Sequence, residues 1–185
     1  MALTATMYHL QVALSDVDRG VYEALDLRLA RHPSETVRYM LTRTLAYCLS
    51  YEEGIAFSRG GLSSAADAPI TVVDPTGALL AWIDIGSPSA ERLHKASKAA
   101  PRVALFTAAD LPALRREAAS RPVHRLAHIE VWQFTPSFLD SLGERVDRNT
   151  RLELVRNEGH LYVTIDGAIL EGTVTRCSLV PEEGA

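Results

Sequence analysis

Four residues near the middle of the chain have types and spacing suited to chemistry: Glu53, Asp67, Asp84 and Lys95. Asp84 is the most informative, because it interrupts the apolar run Leu79, Leu80, Ala81, Trp82, Ile83. An ionised carboxylate is costly to bury without partners, so an acid in such a run calls for a cation or a set of donors. Three carboxylates with few histidines suit a hard, oxygen-seeking cation, Mg2+ or Mn2+. Such a cation orients a phosphate and acidifies a bound water, and a neighbouring lysine stabilises the charge that develops. Each acid also has a plainer reading: Glu53 as a solvated helix end, Asp67 as a loop acid, and Asp84 as the partner of an arginine such as Arg92.

The elements that must position these residues follow from periodicity. Ile70–Val73 and Ala78–Ile85 are two apolar runs separated by Asp74-Pro75-Thr76-Gly77, a turn sequence with proline where φ is pre-set, so the stretch predicts a hairpin. Ser87 and Pro88 then offer a helix start, and a helix follows over roughly Ser89–Ala99. Upstream, Val37, Met40, Leu41, Leu45 and Cys48 recur at three- and four-residue spacing, which predicts a helix from a Ser34 cap to about Tyr51. Leu41, Leu45 and Cys48 form its core-facing stripe, and Glu52 and Glu53 stand at its C-terminal end. Gly54 to Asp67 reads as irregular. A buried strand at Arg102–Thr107 completes a strand–helix–strand crossover.

Further elements flank this unit. Strands are expected at Thr4–Leu14 and around Leu25–Leu29, then a helix at Leu111–Ala119, a strand at Ile129–Phe134 and a helix at Pro136–Val146. Three last strands follow at Leu152–Val155, Leu161–Ile165 and Ile169–Arg176, with turns at Asn157–Gly159 and Asp166–Gly167. The expected fold class is α/β (α+β) in a single domain over residues 1–185. Its core spans about 34–134, and segments 4–30 and 150–177 add a mostly antiparallel sheet.

With 185 residues, 47% apolar and 23% charged, the composition is that of an ordinary water-soluble globule. A formal net charge of −4 excludes coating of nucleic acid through bulk charge, although a local patch remains open. Six Lys/Arg between Lys98 and His128 (Lys98, Arg102, Arg115, Arg116, Arg121 and Arg125) form the one basic excess. Lys98, Arg115, Arg116 and Arg121 are the candidates there for phosphate contact, against the plainer reading of a solvated face. The two cysteines, Cys48 and Cys177, make neither a disulfide framework nor a metal motif. No apolar run reaches the length of a bilayer span (about 18 residues), and the start lacks a secretory pattern. A cytoplasmic location without membrane partners is therefore expected. The sequence is silent on oligomeric state.

Four stretches add a resemblance: Ala30–Glu35 (ARHPSE), Phe57–Gly60 (FSRG), Trp82–Gly86 (WIDIG) and Val103–Thr107 (VALFT). Together they make the chain resemble the YaeQ family across nearly its whole length. That family's fold is similar to the PD-(D/E)XK nuclease superfamily, which implies a helix–strand–hairpin–helix–strand core and a two-carboxylate metal site. The resemblance places the first acid at Asp67, the second at Asp84 and the accompanying helix acid at Glu53, with Glu52 the runner-up. Two residues after Asp84 the superfamily pattern carries lysine, but this chain has Gly86. Lys95 on the next helix is the expected substitute, with Lys98 one turn further on. The proline that usually precedes the first acid is replaced by Ala66. The implied function is Mg2+- or Mn2+-dependent hydrolysis of nucleic-acid phosphodiesters. The alternative is a non-catalytic nucleic-acid-binding or regulatory module on a degenerate nuclease fold, and a third reading is an interaction protein whose acids serve structure.

Overall fold

A computed structural model describes residues 4–58 and 66–180. Two long strands open the chain, β1 (Thr6–Asp16) and β2 (Val21–Arg31). Leu10, Val12, Leu14, Leu25, Leu27 and Leu29 are buried, whereas the residues between those leucines on β2 are exposed. That alternation is the mark of a sheet with one face on the core and one in water.

Helix α1 (Val37–Leu49) follows. The Thr36 hydroxyl, not Ser34, caps it by accepting from the Tyr39 amide at 3.1 Å. Strand β3 (Ile55–Phe57) comes next, then β4 (Ile70–Val73) and β5 (Leu79–Ile85), which form the expected hairpin. β3 falls in a stretch expected to be irregular. It is only three residues long and is preceded by Gly54, whose φ is +86° and where any Cβ would overlap the Val73 carbonyl oxygen. Only glycine allows the two backbones to approach so closely.

Helix α2 (Ala90–Ala99) begins at Ser89, whose hydroxyl accepts from the Arg92 amide, so the cap lies two residues beyond Ser87. β6 (Arg102–Thr107), α3 (Leu111–Ala118), β7 (Glu130–Phe134) and α4 (Pro136–Gly143) follow. The chain ends in β8 (Asn149–Asn157), β9 (His160–Ile165) and β10 (Ala168–Cys177). The last two turns place Glu158–Gly159 and Asp166–Gly167 at positive φ, as tight hairpins with a right-handed twist require.

The ten strands of the described residues join one sheet, in the order β2-β1-β8-β9-β10-β7-β6-β5-β4-β3. Six of the nine pairings are antiparallel; β1–β8, β5–β6 and β6–β7 are parallel. The flanking segments therefore extend the central sheet instead of forming a separate one. α1 sits inside its curve: Leu10, Val12, Leu152, Leu154 and Val163 share one buried cluster with Ile70, Ile83, Phe106 and Phe134, and with Leu41, Leu45 and Cys48 of α1. α2 and α3 cover the other face of β5–β7, where Trp82, Leu105 and Val131 meet Leu93, Ala96 and Leu114. β5 and β6 are thus buried on both sides, which explains their near-continuous apolar sequence.

Candidate functional site

Successive residues of β5 point to opposite faces. Ile83 and Ile85 pack in the α1 layer, and Trp82 packs in the α2 layer, so Asp84 also points toward α2. The Asp84 carboxylate is buried and accepts three hydrogen bonds. Arg92 Nε on the first turns of α2 donates at 2.6 Å, Trp82 Nε1 at 3.2 Å, and the Ile85 amide at 3.1 Å. The charge buried in an apolar strand is therefore met by a guanidinium and two neutral donors.

The same guanidinium continues outward. Arg92 Nη2 donates to the backbone carbonyl of Asp67 at 2.8 Å, and Lys95 Nζ donates to the carbonyl of Ala66 at 2.6 Å. Both cations lie over the Trp82 ring, 5.7 and 5.9 Å from its centroid. Asp67, Asp84 and Lys95 thus gather at one end of the sheet, with Arg92 between them, and Asp67 is exposed.

Glu53 does not join them. The Tyr39 ring, on the first turn of α1, lies against Gly86 at the Asp84 end of β5. The 13-residue helix carries the chain away from there by about 20 Å before Glu52 and Glu53 are reached. Glu53 is exposed in the turn beyond, and Glu52 pairs with Arg102 at 3.0 Å, as Glu130 does. The expected helix acid therefore lies at the wrong end of its helix, and the runner-up is committed to an arginine. The missing lysine also has a physical reason. Gly86 has φ +83°, a backbone conformation a lysine would hold only under strain.

A hard cation requires several oxygen donors free to turn toward it. Asp84 gives its carboxylate to three protein donors, and among the described residues no three His, Cys, Asp or Glu side chains converge. As arranged, these residues do not fit a divalent-metal centre.

A second buried acid lies at the entrance to α1. Glu35 is paired with Arg43 at 3.0 Å, accepts from the His32 amide at 3.1 Å, and is almost wholly buried, as is Arg43. Arg43 Nη2 also donates to the Ala30 carbonyl at 3.1 Å. Sequence reasoning gave neither residue a role. The available signal was the pair of opposite charges two helical turns apart, one of them inside the ARHPSE stretch. Burial pushes the Glu35 carboxyl above its ordinary range, and the Arg43 charge offsets only part of that rise. Burial and then the Asp84 charge push the Tyr39 hydroxyl in the same direction.

The Glu35 shift fixes a sign. A carboxyl whose folded pKa exceeds its unfolded value (about 4.3) stabilises the fold fully below that value. The contribution is lost as pH rises through the folded pKa. The stability of the native protein relative to Glu35→Gln should therefore fall as pH is raised from about 4.3, read from urea midpoints at several pH values. A difference that grows with pH would show the Arg43 pairing to dominate.

Beyond Arg92 and Lys95, the exposed side of α2 forms a shallow concavity with His94 and Lys98, and Glu91 is its one acid. Arg121 pairs with that Glu91 at 3.3 Å, and the His124 amide donates to His94 Nδ1. Of the other basic candidates, Arg116 is exposed on α3, and Arg115 reaches away to the Ser178 carbonyl. Among the described residues no helix is long and apolar enough to cross a membrane.

Comparison with known proteins agrees with this architecture. Residues 1–174 match the family model for YaeQ protein. The chain is 34% identical over 179 residues to the uncharacterized protein YaeQ of Escherichia coli (strain K12), covering 95% of this chain and 97% of that one. It is 34% identical over 167 residues to its counterpart in Salmonella typhi, covering 89% and 91%. The crystal structure of YaeQ protein from Pseudomonas syringae superimposes with a TM-score of 0.83 at 30% identity, covering 97% of this chain and 98% of that one. That of YaeQ protein from Xanthomonas axonopodis pv. citri gives 0.84 at 26% identity, covering 95% and 99%. A family match over nearly the full length, with the same large mixed sheet and helices, places the chain in the YaeQ family.

Proposed function

We propose that this protein binds nucleic acid without cleaving it, through the basic side of α2, on a scaffold similar to the PD-(D/E)XK nucleases. The observation that carries this reading is the Asp84–Arg92 pair. The acid expected to hold a metal instead anchors a guanidinium, which is itself part of a basic helix face. The element order α1–β3–β4–β5–α2–β6 is the helix–strand–hairpin–helix–strand succession that the scaffold requires. Arg92, Lys95 and Lys98 lie at positions three apart and so share one side of the helix, where they can follow a phosphate backbone.

The competing reading is Mg2+- or Mn2+-dependent hydrolysis at Asp67 and Asp84, with Lys95 as the ammonium. It is favoured by the Lys95 head group lying beside the residue that precedes Asp67.

One experiment separates the two. Labelled single- and double-stranded DNA and RNA are titrated with the protein in EDTA and in Mn2+, with binding followed by anisotropy and integrity by gel. Binding is expected in EDTA, falling steeply with salt. Lys98→Glu should weaken it about tenfold or more at low salt and flatten the salt dependence. Absence of binding to all four substrates at low salt would remove the proposal. Mn2+-dependent cleavage that Asp84→Asn abolishes would establish the hydrolytic reading in its place.

A further inference from the structure

Among the described residues β2 is an outer strand of the sheet and pairs only with β1, through eleven consecutive residues and without a bulge. Among the described residues no other backbone hydrogen bonds to it. Only the Ala30 carbonyl, near its far end, is taken, by Arg43. Long outer strands invite pairing with another chain, and proteins commonly blunt them with proline, a bulge or inward charges. β2 has no proline and no bulge, and its central inward positions are leucines. Its protection rests on two outward charges, Asp26 and Arg28, with side chains 58% and 77% exposed and 3.9 Å apart.

Those charges match a second copy of the same strand. Antiparallel self-pairing about a two-fold axis keeps the leucine faces on one side only when the axis passes through a residue. An axis through Asp26 sets Asp26 against its own copy, and one through Arg28 does the same for Arg28. With the axis through Leu27, Asp26 of each copy faces Arg28 of the other, Leu25 faces Leu29, Ala24 faces Ala30 and Glu23 faces Arg31. Every charge on the strand then meets its opposite, and every core-facing leucine meets a leucine. Tyr22 and the other copy's Met7, exposed by 62% and 57%, come to the same end of the seam's outer face with only small alanines between them.

We propose that the free side of β2 pairs with β2 of a second copy about a two-fold axis at Leu27, so that one sheet runs through both protomers. This inference is independent of the nucleic-acid reading.

The test exploits the reciprocity of the contact. Sedimentation velocity of the full chain should show a dimer. Asp26→Arg and Arg28→Asp should each be folded by circular dichroism and monomeric, because each sets like charges against each other twice. An equimolar mixture of the two variants should return to dimer, since every seam pair is then opposite in charge, and the double variant carrying both changes should dimerise alone. A monomeric native protein, dimers that survive either single variant, or a mixture that stays monomeric would each overturn the proposal.

Discussion

Replacing Arg92 by methionine is expected to destabilise the protein by about 3 kcal/mol, the lower end of the range for removing one partner of a buried ion pair. The Asp84 side chain is 2% exposed and that of Arg92 21%, so water can reach the cation's side of the pair but not the acid. Methionine keeps an unbranched chain of similar reach beside Trp82, so the change removes the guanidinium charge together with its hydrogen bond to the Asp67 carbonyl. Trp82 Nε1 and the Ile85 amide remain as donors, but neither neutralises an ionised carboxylate. Asp84→Asn in the same background should recover much of the loss, because a neutral amide has no charge to strand. Urea denaturation of the native protein, both single variants and the double variant gives the coupling directly. A loss of less than about 1 kcal/mol for Arg92→Met would place the pair among weak, solvated ones. Asp84 would then be free enough for the metal chemistry that its position in the sequence suggests.

Asp84 stood out because a charge inside an apolar run violates local consistency, and the structure has it fully engaged by Arg92, an outcome weighed beside the metal. The hairpin was legible from Asp74 to Gly77, and the inward stripe of α1 from its spacing. Glu53 reads from sequence both as a metal ligand and as a solvated helix end, because periodicity gives a helix without its direction across the sheet; the structure has it exposed. The packing of Tyr39 against Gly86 and the pairing of Glu52 with Arg102 show that α1 starts at the Asp84 end and runs away from it. β3 was missed because three residues carry too little alternation to register. The parallel pairing of β1 with β8 was equally hidden, since it joins residues about 140 apart whose sequences alternate like any half-buried strand. The Glu35–Arg43 pair shows the same limit. Two charges near a helix start look solvated until tertiary packing buries both.

Leu45→Ala is expected to cost about 2–5 kcal/mol, and the surroundings argue for the upper half of that range. The cost of deleting a buried side chain has two parts, the lost transfer free energy and the cavity that the neighbours fail to fill. α1 is enclosed on one side by Leu10 and Val12 of β1, Leu152 and Leu154 of β8 and Val163 of β9, and on another by β5 and β6. Strands hydrogen-bonded into one continuous sheet cannot move inward individually, so collapse around position 45 is restricted. A void of about 10 Å3 already exists there, lined by Leu41, Leu45, Cys48 and Leu142 among others. Truncation would enlarge it rather than open a site that can close. Urea unfolding should show a lower midpoint with an unchanged slope, because the surface exposed on unfolding hardly changes. Leu80→Ala, at a position 42% exposed on β5, serves as the control and should shift the midpoint far less. Equal losses at the two positions would mean that α1 is not enclosed in solution as its burial indicates.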